Sequence, residues 1–123
     1  MTARQRIIEQ YGERTVQALD DFIEHCDDAA TMLAQRDRSN PLVDELVVEA
    51  LILHLGESAK RAGDPFIADH PQLGLRDIVD ARNFVAHGYD ITNHDLLWAS
   101  IERDLPTTAA AVRQVLAEGG PVA

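Results

Sequence analysis

Apolar residues recur along the chain at spacings of three and four, and no segment shows the strict alternation of a half-buried strand. Ile7, Ile8 and Tyr11 form a first cluster. Val16, Leu19, Phe22, Ile23, Cys26, Ala30 and Leu33 continue the period, so residues 3 to about 35 read as helix. Gly12 is placed to divide this stretch into a short leader and a long helix. The polar run Gln35-Arg36-Asp37-Arg38-Ser39-Asn40 reads as a loop. Asn40 before Pro41 marks the next helix start, a capping side chain followed by a residue that needs no N–H at the first helical position. That helix runs to about Ala62. Its apolar residues Leu42, Val43, Leu46, Val47, Val48, Ala50, Leu51, Ile52, Leu53 and Leu55 cover most of its circumference. Such a helix is buried on more than one side, and a second subunit is the expected cover. Gly56 in mid-helix leaves room for a close neighbour.

Gly63-Asp64-Pro65 ends the second helix, and Pro65 to Pro71 leaves room for one short turn. The spacing predicts a third helix from Leu75 to His87, with Leu75, Ile78, Val79, Val85 and Ala86 facing the core and Phe84-Val85-Ala86 as its apolar anchor. Gly88 directly after it is a helix stop. Thr92 or Asn93 caps the last helix, whose Leu97, Ile101 and Leu105 are spaced by four. Pro106 should kink or divide it. Thr108 to Ala117 continues it, and residues 117–123, with Gly119-Gly120-Pro121, read as a loose tail. The expectation is an all-α, antiparallel four-helix bundle with a short extra helix and a Pro-kinked last helix, forming one domain over residues 1–123.

Chemistry concentrates in Ala81-Arg82-Asn83-Phe84-Val85-Ala86-His87-Gly88-Tyr89, which holds a guanidinium, an amide, an imidazole and a phenol within eight residues. Arg82 and His87 are five apart, about 140° around an ideal helix, and would not share a face. Asn83 and His87, four apart, would. One copy of the helix therefore makes an awkward site, and two copies packed together could assemble it. A position at the helix C-terminus suits a cationic imidazole.

Arg82-x4-His87-x-Tyr89 resembles the signature of HepT-like HEPN proteins, and Arg82-Asn83-x3-His87 resembles the broader HEPN ribonuclease motif. Leu55-Gly56-Glu57-Ser58-Ala59-Lys60 is similar to that family's second-helix stretch. Asp90-Ile91-Thr92, Leu97-Trp98 and Asp104-Leu105-Pro106 are similar to its tail. There are two departures: Gly88 stands where many members carry an acidic residue, and Gln72-Leu73-Gly74-Leu75-Arg76 lacks a tryptophan that many carry. The resemblance implies a metal-independent endoribonuclease, the toxin of a type VII-like toxin–antitoxin pair. Its RNA substrate would supply its own nucleophile, the 2′-hydroxyl. Arg82 and His87 would be catalytic, with Asn83 orienting the phosphate or the imidazole. It further implies a cognate minimal nucleotidyltransferase antitoxin, which transfers AMP to the tyrosine of the motif, here Tyr89; a homodimer is expected from the all-round apolar second helix and from the incomplete one-copy site. Glu57 is a candidate supporting residue, either paired with Arg82 or a neighbouring arginine, or a solvated helix position. The alternative reading is a non-catalytic HEPN subunit that binds a nucleotide or a nucleotidyltransferase.

Composition narrows this further. Hydrophobic residues make up 46% and charged residues 26% of 123, an ordinary soluble mix. A net charge of −10 argues against a surface that holds nucleic acid by broad electrostatics. Any RNA contact would be local. The acidity suits a basic partner, and solubility alone accounts for it equally. Cys26 is the only cysteine and, among Phe22, Ile23, Ala29 and Ala30, reads as a packed core thiol. His54 reads as a core or interface histidine. His87, Asp90 and His94 match no familiar metal-ligand spacing, so neither a metal nor a cofactor is expected. A polar, charged start without an apolar core segment, and no run long enough to span a bilayer, predict a cytoplasmic protein with no membrane contact.

Overall fold

Local signals set the helix boundaries. Thr2 and Gln5 form a reciprocal capping box, with Thr2 Oγ1 accepting from the Gln5 N–H at 3.1 Å and Gln5 Oε1 from the Thr2 N–H at 2.8 Å. Gly12, at φ +101°, separates the first two helices. Asn40 Oδ1 accepts from the Val43 N–H and Asn93 Oδ1 from the Leu96 N–H, each capping the helix it precedes. The computed structural model describes residues 1–88 and 93–118. It contains α1 (Ala3–Tyr11), α2 (Glu13–Ala34), α3 (Pro41–Arg61), α4 (Asp64–Asp69), a 3₁₀ turn (Pro71–Leu73), α5 (Leu75–Ala86), α6 (His94–Arg103) and α7 (Leu105–Glu118). The protein is all-α, with no strand among the described residues.

Pro106 divides the last helix rather than merely bending it. α6 ends at Arg103, and Pro106 becomes the second residue of α7, where its missing N–H leaves no intrahelical bond unmade. α7 runs one residue further than the spacing suggests, to Glu118; residues 119–123 lie outside the described residues.

α3 lies between α2 and α5, while α6 and α7 close the bundle against α2. The fully buried side chains Leu19, Phe22, Val48, Leu55, Phe66, Leu75, Trp98, Val112 and Val115 form a continuous core across these helices. The buried Thr15 hydroxyl donates to the Ala62 carbonyl at 2.7 Å and satisfies the end of α3. At the side of the bundle the Tyr11 hydroxyl donates to Asp69 at 2.6 Å, tying α1 to α4. Three expected core positions are corrected. Ala30 is exposed and its neighbour Ala29 is buried in its place. Of the Phe84-Val85-Ala86 anchor only Val85 is buried, because successive helical residues point about 100° apart. Phe84 is 38% exposed.

The polar run before α3 carries the main ionic fastening of the fold. Arg36 meets both carboxylate oxygens of Asp44 at 2.7 and 2.9 Å and Asp95 at 3.0 Å. Its guanidinium lies 4.8 Å from the Trp98 ring centroid, a cation–π distance. Trp98 Nε1 donates to the Asp44 carbonyl oxygen at 3.2 Å, so one cluster joins the starts of α3 and α6. The two-pronged bond from Arg36 holds the Asp44 carboxyl below its ordinary value of 3.8. A depressed carboxyl adds stability above the unfolded-state value and loses it as pH falls through the folded-state value. Asp44→Asn should therefore melt at a lower temperature than wild type at pH 7, and the gap should close towards pH 3. Thermal unfolding across that range checks this; an equal gap at both ends would show that Asp44 acts through packing and not through its charge.

Candidate functional site

α5 is positioned by its contact with α3, where Gly56 lies directly against Arg82. A Cβ built at Gly56 would overlap Arg82 Cβ, approach Arg82 Cγ to 2.6 Å and reach the Ile78 carbonyl oxygen at 3.1 Å. The neighbour that Gly56 admits is thus α5 of the same chain. The approach brings the next residue of α3, Glu57, against the guanidinium: Arg82 Nη2 and Glu57 Oε2 are 3.1 Å apart. On the other side Arg82 Nη1 donates to Asn83 Oδ1 at 3.0 Å. Arg82 is therefore held from two directions while its side chain stays 27% exposed. A guanidinium fixed in this way keeps N–H groups in a planar fork for a phosphate oxygen.

His87 occupies the C-cap of α5, and its backbone N–H donates to the Asn83 carbonyl at 3.1 Å. Gly88 follows at φ +65°, a left-handed conformation open to glycine and costly to a side chain, and this ends the helix. His87 is exposed. The structure thus brings Glu57, Arg82 and Asn83 together and places His87 one turn beyond Asn83 at the open end of the same helix. Tyr89 lies outside the described residues, as does Asp90 of the spacing His87, Asp90, His94. Among the described residues no group of three or more His, Cys, Asp or Glu side chains could hold a metal ion.

The charges around this site explain how an acidic protein arranges its few cations. Arg4 pairs with Asp20, Arg61 with Asp21, Arg113 with Asp27, Arg76 with Asp64 and Arg36 with Asp44 and Asp95. Arg82 with Glu57 is one more such pair, so each of these guanidinium groups faces a carboxylate. The remaining candidates have structural surroundings. Burial pushes the Cys26 thiol up to about 12, far from a thiolate nucleophile at neutral pH. His54 is exposed, with its ring 5.2 Å from that of His25. His70 stacks on Phe66 at 4.2 Å. His94 faces Glu49 at 3.6 Å and Glu45 at 4.0 Å across the α3–α6 contact. No helix among the described residues is long and apolar enough to cross a membrane.

Sequence spacing did not reveal that Arg82 and Glu57 meet; the glycine before Glu57, set in an otherwise bulky apolar helix, was the available signal. No curated protein and no solved structure matches the chain. The profile of the family described as "Ribonuclease HepT-like" matches residues 3–115, nearly the whole length, and the chain therefore belongs to the HepT-like ribonuclease family.

Proposed function

We propose that the protein is a metal-independent endoribonuclease, the toxin of a toxin–antitoxin pair silenced by AMP transfer to Tyr89. The observation that carries this is the fixed, partly open guanidinium of Arg82 on the same helix end as His87. Cleavage needs two proton transfers. As the RNA 2′-oxygen bonds to phosphorus its proton must leave, and as the bond to the 5′-oxygen breaks that oxygen must gain one. The products are a 2′,3′-cyclic phosphate and a 5′-hydroxyl end. His87 performs one of these transfers, a step worth about 10²- to 10⁴-fold. Arg82 stabilises the charge that builds on the phosphate, displacing Glu57 or sharing with it. Asn83 positions Arg82 through its side-chain oxygen.

One motif histidine per chain, His87, and two proton transfers fit a site shared by two copies. The surface that would join them is apolar: Leu42, Val43 and Leu46 on α3 are 64%, 50% and 56% exposed, and Leu96 on α6 is 58% exposed. The Arg36 cluster holds these two helix starts together, so the four side chains belong to one end of the bundle. Exposed apolar groups gathered this way mark an association surface. Light scattering at micromolar concentration should give twice the chain mass; a monomeric mass would remove the shared site.

The partner is a cognate minimal nucleotidyltransferase antitoxin. In the silencing step the Tyr89 phenol oxygen bonds to the α-phosphorus of ATP, pyrophosphate leaves, and the phenolic proton is lost. The attached phosphate brings negative charge within two residues of His87 and competes with RNA for Arg82. The test is a single assay of RNA cleavage. Purified protein should cleave with EDTA present, stop after incubation with antitoxin and ATP, and continue in the Tyr89→Phe variant. Loss of cleavage on chelation, restored by a divalent ion, would remove the metal-free mechanism. Silencing of the Phe variant would move the adduct elsewhere.

The pairing of so many arginines with carboxylates at a net charge of −10 favours a second reading. In it the same polar cluster belongs to a non-catalytic subunit that binds a nucleotide or a nucleotidyltransferase. RNA left intact by well-folded wild-type protein would select it.

A further inference from the structure

Among the described residues α5 packs mainly on α3, and a cleft of about 330 Å³ lies between α5 and the α6–α7 pair. The volume lies at the lower end of the range of about 300–1,000 Å³ for small-ligand sites. Its walls are largely apolar, with Ile52 from α3, Ile78 from α5, and Leu97 and Ile101 from α6. Among the described residues two ionisable groups line it, Asp77 in the first turn of α5 and Asp104 at the C-cap of α6, and no lysine, arginine or histidine does.

Both carboxylates are exposed at the mouth of the cleft, and like Asp80 they meet no arginine among the described residues. Asp20, Asp21, Asp27, Asp44 and Asp95 each meet an arginine. Asp77 and Asp104 have no side-chain hydrogen bond or ion pair among the described residues. Asp104 also stands at a helix C-terminus, whose unpaired carbonyls add to the preference for positive charge. An apolar hollow edged by carboxylates without a counterion suits one kind of occupant, an apolar body with a cationic head.

We propose that the cleft between α5 and α6–α7 is a binding site for a small organic cation, an alkyl amine in its ammonium form. The alkyl part displaces water from Ile52, Ile78, Leu97 and Ile101, and the ammonium donates to Asp77 and Asp104. An occupant touching both sides ties α5 to α6 and α7, so binding should slow hydrogen exchange along α5. None of this depends on the ribonuclease reading.

The test is a methyl and amide NMR titration of the full chain with n-hexylammonium, 1-hexanol and hexanoate at equal ionic strength. Saturable shifts at the methyls of Ile52, Ile78, Leu97 and Ile101 are expected with hexylammonium, about tenfold tighter than with hexanol, the scale of one charge-assisted hydrogen bond. Hexanoate should produce none. Asp77→Asn with Asp104→Asn should remove the tenfold preference and leave hexanol binding unchanged. The three-probe ranking on wild type stands by itself if that variant does not fold. Equal affinity for hexanol and hexylammonium, shifts centred elsewhere on the surface, or no saturation with any probe would overturn the assignment. The last outcome would leave the cleft to a protein partner.

Discussion

His87→Ala is expected to lower RNA cleavage by about 10²- to 10⁴-fold, the usual scale of a lost general acid or base. It should leave the protein folded with a cooperative thermal transition, since the position is exposed and most surface substitutions cost little stability. The two results must be read together. His87 is exposed at the C-cap of α5, and the backbone bonds that end the helix, His87 N–H to Asn83 and Gly88 N–H to Val85, do not use its side chain. Retained cleavage in a folded variant would contradict the proposed mechanism. Mixing the variant with an Arg82→Ala chain adds a finer readout. If two copies build one site, the mixture should recover part of the activity that each variant lacks. No recovery, with both variants dimeric, would mean that a site needs either Arg82 and His87 of one chain or the His87 of both.

How much of this was legible in the sequence depends on the range of the interaction. Helix boundaries are set by neighbours within four residues, so Asn40 before Pro41, Asn93, Gly12 and Pro106 announced theirs directly. The motif helix could be placed because Leu75, Val79 and Val85 repeat on one face and Gly88 stops it. Which partner covers a face is a tertiary question. The all-round apolarity of α3 pointed to a second subunit, yet much of it is used up by α2 and α5 of the same chain, leaving Leu42, Val43 and Leu46 for anything else. The Phe84-Val85-Ala86 anchor failed for a related reason: three consecutive apolar residues cannot all face one core on a helix. Ion pairs were the least legible. Arg36 with Asp44 spans eight residues and Arg82 with Glu57 spans 25, so no local period encodes them. Glu57 remained ambiguous until the close approach at Gly56 put its carboxylate against Arg82.

Gly56→Ala should be among the most damaging single-atom additions in the chain. The new Cβ would occupy the place of Arg82 Cβ, and neither atom can rotate away because both are fixed to helical backbones. Relief requires α3 and α5 to separate. Forced overpacking of this kind costs about 3 kcal/mol, or a drop in melting temperature on the order of 10 °C for a domain of this size. Alanine's better helix propensity offsets only about 1 kcal/mol of that. Separation would also pull Arg82 from Glu57, so cleavage should fall further than the loss of folded protein explains. A size swap tests the cause. Gly56→Ala combined with Arg82→Gly moves the missing Cβ from α3 to α5 and should recover much of the melting temperature, a coupling that independent sites do not show. The swap should remain inactive, because the guanidinium is gone. Thermal unfolding and RNA cleavage on the two single variants and the double variant give the full cycle. If the double variant melts at the temperature expected from adding the single losses, the clash at Gly56 is not what holds Arg82 in place, and the position of the guanidinium must come from Glu57 and Asn83 alone.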